Sequence, residues 1–277
     1  MISNGNATIT VSDLDAAIRF YTEQLGLQLT NRIGDRWATL QSGPSYWTSD
    51  DRNAGLIVGL QPASPQRAEP GTTGGVGFGL ETYTPIDDVA AAFVTRRVRI
   101  TSEIVRFEAG NVFAFEGLDG LASYVHHFPP EMLQGTARSS PSDALVSGGH
   151  AIVYVSDMDR AIDFYSNTLG LKLTNRFENH FATVEVGRLV LAIHPHTSRT
   201  PAPGTKGCVT LGLVVDQPID TVLARLAQRG VRTTGRSETA RFADIEDPDG
   251  NVITLWAAKA LGSHVTSDLQ PTFSLVT

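Results

Sequence analysis

The sequence predicts an α+β protein made of four βαβββ units in two tandem domains, each a curled mixed sheet of about eight strands with its helices outside. Two observations carry this. VSDLDAAIRFYTEQLGLQLTNR at residues 11–32 returns as VSDMDRAIDFYSNTLGLKLTNR at residues 155–176, with 15 of 22 positions identical at a constant offset of 144. Self-similarity on that scale means a duplicated domain. Each copy then holds a second, more distant version of the same pattern, GFGLETYTPIDDVAAAFVTRRV and TLGLVVDQPIDTVLARLAQRGV. At 277 residues there is room for two domains of ordinary size. The expected division is a domain over 1–128, a Pro-, Ser- and Gly-rich linker over 129–147, a second domain over 148–258 and a tail over 259–277.

The elements follow in order. Ile9 and Val11 end a short strand, and Ser12 or Asp13 caps a helix. Leu14, Ala17, Ile18, Tyr21 and Leu25 mark one helical face, closed by Gly26. The second copy runs Asp157, Met158, Ala161, Ile162, Tyr165, Leu169 and Gly170. Strands are predicted at 28–32, 36–42 and 56–61, matched by 172–176, 181–187 and 189–194. In the second units a proline opens each helix; Ile219, Val222, Leu223 and Leu226 form an apolar stripe, and Gly230 ends it. Asp247-Pro248-Asp249-Gly250 has proline and glycine at turn positions and joins FADIE to NVITLWA as a hairpin. FAFEGLDGLASYVHHF is the answering segment of the first copy.

Composition narrows the function classes. A net charge of −7 without a basic block excludes the electrostatic footprint of nucleic-acid binding. No apolar run is long enough to span a bilayer, and MISNGNATIT has neither the basic segment nor the apolar core of a secretory signal. Cys208 is the only cysteine, which rules out an internal disulfide and a cysteine-based zinc cluster. A reducing, cytoplasmic location is expected, with a small molecule as partner and either a monomer or a homodimer. There is no nucleophile elbow, phosphate-binding loop or dinucleotide fingerprint; the glycines of GGVGFGLE lie on a strand.

The pattern of short strand, V-S-D-hydrophobic-D, helix with A-I-x-F-Y, then L-G-L, together with D-P-D-G-N-x-I at 247–253, resembles the vicinal oxygen chelate superfamily. That superfamily includes glyoxalase I, type I extradiol dioxygenases, and bleomycin- and fosfomycin-resistance proteins. The resemblance covers nearly all of the chain outside the linker and tail. It implies paired units curled around a cup, with metal ligands on the first and last strands. His150 stands where the resemblance places a first histidine. The further ligand positions fall on Thr210 and Thr254, and in the first copy on Asn6, Gly77 and Tyr124. Neutral hydroxyls bind a divalent ion weakly, so no metal and no cofactor are expected. Such a fold hosts many chemistries, and function has to be argued from the site.

Strand alternation extends the candidate set. In the first copy, Asn6, Thr8 and Thr10 share a parity, as do Gly77, Gly79 and Glu81, and Tyr124 with His126. Glu81 beside His126 is a candidate general acid–base pair; two strand ends meeting only solvent is the plainer reading. In the second copy the set is His150, Ile152, Tyr154, Thr210, Gly212, Thr254 and Trp256, a mixed aromatic and hydroxyl surface typical of a small-molecule pocket or of ordinary packing. His150 is a candidate acid–base group, or an inherited histidine without a role. His194 and His196 read as a surface loop. The copies differ most at 44–55, where eleven extra residues bearing Tyr46 and Trp47 form either a lid or a neutral insertion. Three functions remain open. The first is a metal-free protein that binds a largely apolar or aromatic ligand. The second is a metal-free lyase, isomerase or cyclase using His150 or Glu81 with His126. The third is a metal-dependent dioxygenase or glyoxalase-type lyase with displaced ligands.

Overall fold

The computed structural model describes residues 1–48, 54–65, 67–107, 110–128, 145–237 and 241–258. Most of the expected linker, the tail and the tip of the 44–55 insertion lie outside the described residues.

Four units are present. The first is β1 (Ile2–Val11), α1 (Leu14–Arg19), β2 (Gln28–Ile33), β3 (Trp37–Pro44) and β4 (Gly55–Pro62). The second is β5 (Val76–Thr82), α2 (Ile86–Thr95), the short β6 (Arg99–Ile100) and β7 (Val105–Phe107), β8 (Gly110–Glu116) and β9 (Ala122–His127). The third is β10 (Gly148–Val155), α3 (Met158–Asp163), β11 (Lys172–Phe177), β12 (Phe181–Val186) and β13 (Leu189–Pro195). The fourth is β14 (Val209–Val215), α4 (Ile219–Gln228), β15 (Thr233–Arg236), β16 (Phe242–Glu246) and β17 (Val252–Ala257).

Each curled sheet takes one unit from each half of the chain. In the first, β1 pairs in parallel with β4 and antiparallel with β14, giving the order β2-β3-β4-β1-β14-β17-β16-β15. In the second, β10 pairs in parallel with β13 and antiparallel with β5, giving β11-β12-β13-β10-β5-β9-β8, with β6 and β7 both on β8. The cups therefore join unit one to unit four and unit two to unit three. Grouping the lining residues by half, as the sequence suggested, is corrected by this pairing. Alternation fixes which face a residue takes, but not which strand lies beside it.

Units of the same half are tied differently. Asp13 and Asp157 cap α1 and α3, accepting from the N–H groups of Ala16 and Arg160. Ser12 and Ser156, one residue earlier, donate to Asp119 and Asp249 of the distant Asp-Gly turns. The D-P-D-G motif is thus a clamp between units. Both helices widen into one π-turn, at Phe20–Gln24 and Phe164–Thr168. Tyr21 and Tyr165 in these turns are fully buried in one continuous core shared with Ile9, Phe93, Phe113, Val153 and Leu211. Along β1 and β10, Ala7, Ile9, Val11, Ala151, Val153 and Val155 face that core, leaving the other parity for the cups.

Candidate functional site

The first cup is built on β1 and β14, where Asn6 lies opposite Gly212 and Thr8 opposite Thr210; Gly212 in turn faces Thr254. A Cβ on Gly212 would meet Asn6 Oδ1 at 2.5 Å and Trp256 Nε1 at 3.2 Å, so the glycine lets these two side chains lean across the sheet. Asn6 donates to Thr8 Oγ1 at 2.8 Å, and Thr254 donates to Asp244 Oδ1 at 2.7 Å. Trp256 and Phe242 lie side by side, ring centroids 5.3 Å apart. A cavity of about 460 Å³ opens here, lined by Thr8, Thr10, Gln61, Thr210, Asp244 and Thr254 with both rings, and with Arg67 and Lys206 also on its wall. Phe242, Asp244 and Gln61 were not singled out in the sequence. The register of Phe242 with Trp256, and of Asp244 with Thr254, is the signal that places two of them.

The second cup has the same frame and different contents. His150 lies opposite Gly79, which faces Tyr124; Glu81 faces His126. A Cβ on Gly79 would meet His150 Nε2 at 3.1 Å and His126 Nε2 at 3.4 Å, so both imidazoles converge over that glycine. Glu81 is completely buried, and a buried carboxylate requires donors. It has three: Ser45 Oγ at 2.7 Å and His150 Nδ1 at 2.5 Å on Oε1, and the Tyr46 N–H at 2.6 Å on Oε2. His150, 2% exposed, is thereby fixed with Nδ1–H toward Glu81 and Nε2 toward the cup. Glu81 belongs with His150 more closely than with His126, its expected partner.

Three further groups complete this cup. His194 is not on a surface loop: it lies in β13, opposite Tyr154, with ring contacts to Tyr154 and Phe181 at 5.9 and 6.5 Å. His196 points outward to Thr200 and Pro201. Burial, and then the neighbouring His150 and His194, push the His126 imidazole down to about 3. Burial lowers His194 as well, against its hydrogen bond to the Pro195 carbonyl. The Tyr154 phenol is pushed well up by burial and then by Tyr124 beside it. A cavity of about 220 Å³ is lined by Gly77, Tyr124 and Tyr154, one inward-facing position along from Gly79.

The extra segment after β3 belongs to the first sheet and crosses to the second cup. Tyr46 packs edge-on against Tyr83 and Phe128, at 4.5 and 5.0 Å, and its hydroxyl donates to the Thr82 carbonyl. Trp47 lies against Phe128, Phe177 and Phe181, and its carbonyl accepts from Asn175. The strap passes so close to β10 that a Cβ on Gly148 would stand 2.2 Å from the Pro44 carbonyl oxygen.

The metal ion implied by the fold does not fit either donor set. The central positions of the first cup offer Asn6, Thr254 and Trp256. In the second, both oxygens of Glu81 already accept hydrogen bonds, and one His150 nitrogen is committed to Glu81. Among the described residues, no three His, Cys, Asp or Glu side chains converge closely enough to hold an ion.

The Glyoxalase/Bleomycin resistance protein/Dioxygenase superfamily model matches residues 5–122 and 148–255. The chain belongs to this family. Glyoxalase I from Zea mays superposes with a TM-score of 0.59 at 18% identity, over 92% of this chain and 93% of that one. A putative dioxygenase from Bacillus subtilis gives 0.56 at 17% identity, over 92% and 85%. At these identities the likeness is one of fold. A virulence protein of Salmonella typhimurium is 29% identical over 120 residues, 38% of this chain and 80% of its own. Among the described residues, no helix is long and apolar enough to cross a membrane.

Proposed function

We propose that this glyoxalase-fold protein binds a small, largely apolar and planar molecule in its first cup, without a metal ion. The carrying observation is the cavity of about 460 Å³ walled by Trp256 and Phe242, a size usual for small-molecule sites. Thr8, Thr10, Thr210, Thr254 and Gln61 supply the few polar anchors, and Asp244 the one carboxylate among the described residues of its wall. Burying about 200 Å² of apolar ligand surface contributes about 5 kcal/mol. One or two hydrogen bonds add about 1 kcal/mol each and fix orientation. His150 and Tyr154, grouped with Trp256 from the sequence, line the other cup and have no part in this site. The reading takes the protein to be cytoplasmic and to act on neither nucleic acid nor membranes.

Anilinonaphthalene sulfonate is a suitable probe, with an apolar ring system and an anionic group for the Arg67 and Lys206 side. Saturable binding is expected, with quenching of tryptophan emission that Trp256→Phe assigns. Trp256→Ala with Phe242→Ala is expected to weaken binding by about tenfold or more, while His150→Gln leaves it unchanged. Binding lost with His150→Gln and retained without Trp256 and Phe242 overturns the assignment.

A further inference from the structure

The ligand read into the first cup leaves the smaller cavity of the second unused. We propose that this cavity is a separate site for a single-ring carboxylate, which lies over Gly77 and is held by Arg199, Tyr124 and Tyr154. It does not depend on the reading of the first cup. Three observations combine. The cavity of about 220 Å³ is lined by Gly77, Tyr124, Tyr154 and Arg199, with Val76 and Pro201 among its uncharged residues. A Cβ on Gly77 would meet nothing within 4 Å, whereas one on Gly79, the next residue of that face, would meet two imidazoles. The open part of the second cup is therefore at Gly77, away from His150. Among the described residues of the wall, Arg199 is the only charged one, and its guanidinium has no hydrogen-bond or ion-pair partner among the described residues.

The loop after β13 sets Arg199 in place. The Thr197 N–H donates to Thr200 Oγ1 at 2.8 Å and the Arg199 N–H to Thr197 Oγ1 at 3.2 Å, so the turn is braced by its own hydroxyls. Arg199 is exposed and Tyr154 buried, which puts the positive charge at the solvent end of the cavity and the phenol inside. Burial keeps that phenol protonated, so it can donate to an anion. A planar guanidinium matches the two oxygens of a carboxylate, and no acidic side chain among the described residues of the wall opposes the charge. The volume lies below the roughly 300 Å³ at which sites for drug-sized ligands begin, so it admits one ring rather than a fused system. Binding is non-covalent, with the ring against Gly77 and the carboxylate toward Arg199.

The probe is benzoate, with benzamide as its uncharged counterpart and inorganic phosphate as an anion without a ring. Binding is read by titration calorimetry and by NMR of the probe. Saturable binding of benzoate is expected, weaker as salt rises, with benzamide and phosphate each about tenfold weaker or more. Arg199→Gln, a substitution at an exposed position, should weaken benzoate by about tenfold and remove the salt dependence. Tyr154→Phe should weaken it severalfold at every salt concentration. Gly77→Leu puts a side chain into the open space and should abolish binding with the melting temperature nearly unchanged. Trp256→Ala with Phe242→Ala should leave benzoate binding as it was, so that failure of one site is read apart from failure of the other. Absence of saturable binding, benzamide or phosphate bound as tightly as benzoate, or benzoate binding unchanged in Arg199→Gln or in folded Gly77→Leu overturns the proposal.

Discussion

Asn6, Gly212, Thr254 and Trp256 in the first cup occupy the places that His150, Gly79, Tyr124 and His126 hold in the second. The glycines do the same work in both, letting a polar side chain on one strand lean toward an aromatic one on another. What differs is ionisable content and cover. The first cup carries amide, hydroxyl and indole groups and stays open to a cavity of about 460 Å³. The second holds a buried glutamate hydrogen-bonded to His150, with His126 and His194 elsewhere on its wall, beneath a strap lent by the first sheet. Duplication preserved the frame and left the side chains on it free to diverge.

The largest way to break the comparison is at Glu81, whose counterpart in the first cup is Val214. Glu81→Ala strands three buried donors, so a loss of about 3–5 kcal/mol is expected from urea denaturation. Val214→Ala should cost about 1–2 kcal/mol, the usual scale for lost methyl groups. Equal losses would mean that the strap and His150 do not depend on the carboxylate. A second test compares the π-turn tyrosines. Tyr165 donates to Asp247 at 3.0 Å, whereas Tyr21, next to Gly117 at the matching place, has a buried hydroxyl without a partner. Tyr165→Phe is expected to cost about 1–2 kcal/mol and Tyr21→Phe close to nothing.

The third test is pH dependence, which the first cup lacks at its centre. Folding depresses the pKa of His126, so in acid the unfolded chain takes up its proton before the folded one does. Its contribution is complete above about 6.5, the unperturbed value, and is lost as the pH falls toward the folded value. Stability measured between neutral and acid pH should therefore decline, and His126→Phe should flatten the decline. Trp256→Phe should leave the slope alone. The smallest effect expected is zero: chelation of divalent ions should change neither the melting temperature nor probe binding in the first cup. A drop in melting temperature on chelation, reproduced by His150→Ala, would return a metal to the second cup.

Much of the fold was legible because the repeat fixed the units and period-two alternation fixed the faces. Strand positions followed from local chemistry to within a residue or two, and of the two cap candidates, Ser12 and Asp13, it is Asp13 that caps while Ser12 reaches Asp119. The partnership of strands did not. Nothing local to β1 says that it lies beside β14 rather than β5, and so His150 and Glu81, read as rival candidates in separate cups, turned out to be hydrogen-bonded. The π-turns left no trace in the 3.6-residue period. Trp47 was visible as an insertion, but its target, an aromatic cluster from two other units, depends on the sheet pairing. His194 looked like a loop residue because His196 and prolines follow it.

The cross-half pairing also sets a timetable. The second sheet joins β5 to β10 and holds all its strands once Pro195 has been made. The first joins β1 to β14, more than 200 residues apart, and is complete only at Ala257. At about 5–20 residues per second, the second sheet has several seconds in which to close first during synthesis. Through that interval β1, paired with β4 on one side, has its other edge open along Asn6, Thr8 and Thr10. The second cup is the early product of the ribosome and the first cup the late one. Aggregation during expression should therefore begin at the N-terminal unit, the first to be made and the last to be paired.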